Sequence, residues 1–369
     1  MRRRSPPSGA PASWPEPGRR LPPARADAKC APWLRTQETS LHLFTCPACG
    51  GRLFFRNLTC ACGASVVFDP EAGGFATDGA ECANRAEIAC NWLARDGGLC
   101  RSCAMTEVVP ETFHGENRGH WQDAELAKRW VLANLARWGW LTGADPGPRP
   151  VFHMLAEAMS GGAQAVSMGH KSGIVTINVT EADDVMRVRR REDFDEPLRT
   201  MIGHFRHELG HFFFERLAVD NGFPEGFRAL FADERIDYGA ALNEYYRQGP
   251  YPGWEGRHIT AYAASHPHED WAESFAHLLH LTDIVDSFAA AGLTGEGLPT
   301  ATYDAYAEQD AATLLAYGAR LGVALNHVNR AMGISDIYPF VHTPAIAEKL
   351  RFVHRWMARG LSGTASADR

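Results

Sequence analysis

Two histidines four residues apart with a glutamate between them, His207-Glu208-Leu209-Gly210-His211, constrain this chain more than any other feature of its sequence. Residues at i and i+4 stand one turn apart on one face of an α-helix, so the segment must be helical if both imidazoles are to meet one metal ion. The flanks allow it: Ile202, Phe205, Leu209 and Phe213 recur as an apolar stripe, while His204, His207, Glu208 and His211 fall on the other side. A zinc ion held by two histidines, with one position open to water, needs a third protein ligand. The sequence offers one in Glu269-Asp270-Trp271-Ala272-Glu273. The two glutamates share a helix face there, and Trp271, Phe275, Leu278 and Thr282 form the stripe expected to meet the core. Glu269 is the expected ligand, and Glu273 the group that accepts the second ring N–H of a ligand histidine and fixes its tautomer. The spacing also permits the reverse assignment. Glu208 is placed as a general base, and His204 in a packing or hydrogen-bonding role, because a fourth protein ligand closes the open position.

The chain has nine cysteines, and eight of them fall between Cys46 and Cys103, mostly in short pairs. Cys46-Pro-Ala-Cys49-Gly is a zinc-knuckle half-site whose turn aims both thiolates at one metal, and Cys60-Ala-Cys62-Gly is its partner. Cys82, Cys90, Cys100 and Cys103 supply four more thiolates, so two structural sites of four cysteines each are expected, with Cys30 left over as a free thiol. No apolar run of the secretory type follows MRRRSPPSGAP, which makes a reducing, cytoplasmic compartment the expectation.

The length of 369 residues, 45% hydrophobic and 22% charged, suits one sizeable core with a small accessory module. A net charge of −7 carries no basic excess, so nucleic acid is not an expected partner, and no run of roughly 20 apolar residues calls for a membrane span. Residues 1–40, with eight prolines and eight Lys or Arg, read as a disordered tail. Residues 41–110 read as the cysteine module, 111–360 as a mostly helical domain, and 361–369 as a frayed end. The β-branched run over 173–179 reads as a strand forming the sheet edge beside the HELGH helix. The charged block Asp233, Glu234, Arg235 and Asp237 reads as a solvated or salt-bridged helix face.

Ordered blocks, among them CPACGGRLFF, ECANRAEIACNW, GHKSGIVTINVTEADD, EPLRTMIGHFRHELGH, FADERIDY and ITAYAASHPHEDWAESFAHLLH, resemble the bacterial zinc-binding metallopeptidase family that carries an N-terminal zinc ribbon. The resemblance covers nearly all of the chain after residue 40. It implies an α+β zincin-like domain, mostly helical with a small sheet, preceded by the ribbon. It departs in one place: the family usually has two residues between the cysteines of the second pair, and Cys60 and Cys62 have one. The second motif is also similar to that of anthrax lethal factor, a gluzincin with a tyrosine seven residues before its ligand glutamate, and Tyr262 holds that place here. Such a phenol either donates a hydrogen bond to an oxyanion or packs as an aromatic. The implied activity is zinc-dependent hydrolysis of a peptide or protein amide bond, with one catalytic and two structural zinc ions and the ribbon free for a protein partner. Two other readings fit these residues. One is a non-catalytic zinc-binding protein whose ribbon recognises protein or nucleic acid; the other is a peptidase silent until a partner docks.

Overall fold

Short antiparallel strands separated by glycine turns are what a cysteine-rich segment with little apolar content of its own can form. In the computed structural model, which describes residues 43–182, 200–336 and 342–360, the chain enters in that form. The tail over 1–40, Cys30 and the end over 361–369 lie outside the described residues. Strands β1 (Phe44–Thr45) and β2 (Arg52–Leu53) pair around the first knuckle, where Cys46 N–H donates to the Gly51 carbonyl (2.7 Å) and Gly50 to that of Cys46 (2.9 Å). A second hairpin, β3 (Val67–Asp69) with β4 (Gly74–Ala76), follows. Two single-turn helices, α1 (Arg85–Ile88) and α2 (Arg101–Ala104), then present the second cysteine set.

The remainder is mostly helical around one small sheet. Helix α3 (Asn117–Arg137) lies between β5 (Thr106–Val108) and β6 (Val151–Leu155), and β7 (Gly169–Lys171) and β8 (Ile174–Asn178) complete a sheet of order β5-β6-β8-β7. Strands β5, β6 and β8 run parallel, whereas β7 is antiparallel to β8. The expectation that the strand over 173–179 forms the edge is therefore corrected: β8 is interior, with Val175 and Ile177 buried, and the edge is β7. A two-residue turn decides this. Ser172 and Gly173 both take positive φ (51° and 81°), the geometry that matches strand twist in a tight hairpin, and so fold β7 back along β8. Nothing in Gly-His-Lys advertises a strand.

Helices α4 (Met201–Leu217), α5 (Phe223–Phe231), α6 (Tyr238–Gln248), α7 (Pro267–Ala290), α8 (Ala311–Ala331) and α9 (Pro344–Met357) follow. Their starts are chemically marked. Thr200 accepts from Gly203 N–H (3.0 Å) at α4, and His266 accepts from His268 N–H (3.1 Å) at α7, where Pro267 occupies the first turn. Phe205, Leu209 and Phe213 of α4 and Trp271, Phe275, Leu278 and Thr282 of α7 are buried as their spacing requires. The two helices approach closely because position 210 has no side chain: a Cβ there lies 2.9 Å from Ala272 Cα. The Trp271 indole N–H donates to the Gly210 carbonyl (2.7 Å) across the same crossing, and Phe213 stacks on Phe275 with ring centroids 5.4 Å apart. A continuous apolar core runs from Phe44 in the ribbon to Met357 in α9, joined by contacts such as Phe55 on Trp130. Among the described residues no helix is long and apolar enough to cross a membrane.

Candidate metal centre

Three groups of ligand-type side chains converge among the described residues, each with donor atoms within 4.8 Å of one another: Cys46, Cys49, Cys60 and Cys62; Cys82, Cys90, Cys100 and Cys103; and His207, His211 and Glu269. The third group forms where α4 crosses α7. His207 Nε2 and His211 Nε2 are 3.2 Å apart, and Glu269 Oε2 lies 3.1 Å from the first and 3.5 Å from the second. Atoms bound tetrahedrally at about 2.0–2.1 Å from a common ion are separated by roughly 3.3–3.4 Å, so the triangle has the size zinc demands. Glu269 Oε2 is buried and lacks a hydrogen-bond donor, as a coordinating oxygen does. The thiols pass the same test. Cys49 and Cys60 sulfurs are 3.6 Å apart, Cys90 lies 3.6 Å from Cys100 and 3.7 Å from Cys103, and a tetrahedron with arms of about 2.3 Å has edges of roughly 3.8 Å. The single residue between Cys60 and Cys62 does not keep either thiol out of its group.

The surroundings distinguish the two glutamates. Glu269 offers Oε2 to both ring nitrogens, whereas Glu273 Oε1 meets the opposite nitrogen of His207, Nδ1, at 2.6 Å. Burial alone raises the Glu273 carboxyl, but the hydrogen bond and charge of His207 hold it below its usual value. His204 is turned away from the triangle and pairs through Nε2 with Glu181 (3.1 Å) in the 3-10 turn Val179–Ala182. Glu208 is buried, its Oε2 has no hydrogen-bond partner, and desolvation pushes its pKa up. Tyr262 begins the 3-10 turn Tyr262–Ala264 before α7, with its ring centroid 6.0 Å from that of His207. Burial, followed by the charge of Glu269, raises its phenol, so it remains a proton donor.

Tyr238 was not singled out by the sequence, although it closes the FADERIDY block. Its hydroxyl donates to Glu269 Oε1 at 2.6 Å and leaves Oε2 to face the histidines. No residue spacing reveals this contact, because 31 residues separate the two groups. The rest of that block is not the helix face expected but the connection between α5 and α6: Arg235 pairs with Asp233 (2.7 Å), Arg228 pairs with Glu234, and Asp237 caps α6 through Ala240 N–H (2.9 Å).

Fold and side chains together define an α+β protein in which two histidines and a glutamate converge between two crossed helices, and two four-cysteine groups of a kind that could hold metal lie before them. The chain belongs to the family described as "Putative zinc-binding metallo-peptidase", whose model matches residues 117–356. It is 40% identical to "Uncharacterized protein Mb2598c" of Mycobacterium bovis and to "Uncharacterized protein Rv2568c" of Mycobacterium tuberculosis, each over 327 residues covering 84% of this chain and 94% of the relative. No solved structure matches the chain.

Proposed function

We propose that the chain is a zinc peptidase of the gluzincin type, with His207, His211 and Glu269 as ligands of the catalytic ion and Glu208 as general base. The observation that carries this reading is Glu208, a buried residue whose carboxylate Oε2 has no hydrogen-bond partner, next in sequence to His207. A structural site has no use for an unpaired buried carboxylate oxygen, which costs free energy wherever it does no chemistry. His207, His211 and Glu269 would hold a zinc ion, which would supply Lewis acidity toward water and the scissile carbonyl. Glu208 takes the proton of the attacking water and returns it to the leaving amine, a task its raised pKa favours. Tyr262 donates its phenolic hydrogen to the oxyanion, and Glu273 holds the tautomer of His207.

The antiparallel edge strand β7 is placed to receive an extended peptide through main-chain hydrogen bonds. His170 of β7 packs on Phe212 of α4, and burial, then the charge of His211, lowers its pKa to about 4. Two further zinc ions, one in each four-cysteine group, complete the metal content of this reading. Eight thiols grouped around such sites, rather than paired as disulfides, suit a cytoplasmic protein.

Glu208→Gln tests the assignment, since it keeps size and polarity but cannot take the proton. Turnover of a peptide found by library screening is expected to fall by about 10²–10⁴ while zinc stays bound. Wild-type turnover with zinc in place refutes the assignment. Loss of zinc together with activity makes Glu208 a ligand and favours the non-catalytic binding protein.

A further inference from the structure

The second cysteine group is shut off from water: Cys82, Cys90, Cys100 and Cys103 are 3%, 0%, 1% and 2% exposed. A divalent ion among four thiolates leaves a net charge of roughly −2, and a buried net charge is costly unless hydrogen bonds and a counter-cation offset it. Two backbone donors are in place, Cys100 N–H to the Cys82 sulfur (3.2 Å) and Cys103 N–H to that of Cys100 (3.4 Å). They contribute partial charges only. The first group differs, because Cys49 and Cys62 are exposed and water can solvate the charge there.

Helix α3, against which α1 and α2 pack, carries a buried arginine with no visible purpose. Arg129 is 1% exposed, and its Nε and Nη1 have no hydrogen-bond partner. One turn back on the same helix face, Glu125 is engaged through Oε1 by Lys128 (2.8 Å) and by Thr106 (2.7 Å), three residues beyond Cys103, while its Oε2 has no hydrogen-bond partner. That face of α3 therefore looks onto the end of the cysteine segment. The Arg129 guanidinium is near enough to Cys90 for its charge to act on that sulfur.

We propose that Arg129 is the counter-cation of the metal-loaded Cys82, Cys90, Cys100 and Cys103 site, its unpaired N–H groups serving the thiolates. Metal in the ribbon is then part of what folds the helical region. Loading the site creates the negative charge that Arg129 requires, and an emptied site with protonated thiols leaves a guanidinium buried alone at the centre of α3. Because α3 also packs on α4, occupancy of the ribbon supports the helix that carries His207 and His211. The proposal does not depend on the peptidase reading, and its test measures metal and not turnover.

Zinc-loaded full-length wild type, Arg129→Met and Arg129→Lys are titrated with chelator while zinc per chain and thermal midpoint are followed. Arg129→Met keeps the length and loses the charge. It is expected to release one zinc at chelator concentrations about 10–100-fold lower than wild type, the usual effect of removing an outer partner of a metal ligand. Arg129→Lys is expected to restore most of the difference, and zinc at the exposed cysteine site is expected to leave at the wild-type concentration in all three. Wild-type release from Arg129→Met overturns the proposal, as does equal loss in Met and Lys variants, which reduces Arg129 to packing. If Arg129→Met does not fold, cadmium-substituted wild type decides by NMR. Scalar coupling between the metal nucleus and an Arg129 side-chain N–H across a sulfur is expected, and its absence overturns the assignment.

Discussion

At the scale of single residues, two phenols near one carboxylate have different tasks. Tyr238 touches Glu269 Oε1 and so decides which carboxylate oxygen faces His207 and His211, whereas Tyr262 lies over His207 and touches neither oxygen in a hydrogen bond. Tyr238→Phe frees Glu269 to rotate, and its metal affinity is expected to fall by about 10–100-fold, read by chelator competition. Tyr262→Phe is expected to hold metal as wild type does and to lose roughly 10² in turnover, the worth of one oxyanion donor. Matching losses of metal from the two variants make both residues supports of Glu269 and remove Tyr262 from the chemistry. The reverse assignment of Glu269 and Glu273, open on spacing alone, is disfavoured by geometry: only Glu269 addresses the Nε2 atoms of both histidines.

The crossing of α4 and α7 is the element on which the site depends, and a glycine inside the HELGH segment permits it. Alanine at 210 is the better helix former by about 1 kcal/mol, yet its Cβ meets Ala272 Cα at 2.9 Å and Ala272 O at 3.2 Å, both backbone atoms that cannot swing aside. The helices must separate, stretching the Trp271 bond to the Gly210 carbonyl and carrying Glu269 away from the histidines. Gly210→Ala is expected to cost about 1–3 kcal/mol in urea unfolding and to weaken metal binding, as overpacking does. A more stable variant with intact metal binding refutes this account of the crossing. The apolar stripes of both helices were legible from spacing, because a helix repeats every 3.6 residues wherever it lies. The edge strand was not, since β7 owes its place to a turn with two positive φ angles and to its partner β8.

For the whole molecule, two buried histidines of α7 contribute to the response to acid. His277 is pushed down to about 4 and His280 well below its ordinary value, both first by burial, and His280 Nδ1 accepts from Arg206 at 2.6 Å. A histidine whose folded pKa is depressed takes up its proton first in the unfolded chain, whose value is about 6.5. Their contribution is therefore complete above that pH and declines as the pH falls toward 4. Denaturant midpoints of the Glu269→Ala chain, in which loss of the central metal plays no part, are expected to fall between about pH 7.5 and 5.5. A flat profile over that interval indicates that these histidines are not held neutral.

Sequence alone determined what is local or periodic: the helix bearing His207 and His211, the second helix bearing Glu269 and Glu273, the pairs of cysteines and the helical bias after residue 111. Each follows from residues within one or two turns of one another, where chain connectivity already sets the distance. Only the tertiary structure decided that Gly210 lets the two helices touch, that β7 and not β8 is the edge, that Tyr238 holds Glu269, and that Arg129 lies buried and unpaired on the helix packed against the ribbon. Contacts such as Tyr238 with Glu269, 31 positions apart, and Gly210 with Ala272 arise through packing, whose outcome depends on every side chain at the contact and leaves no period in the sequence to be read.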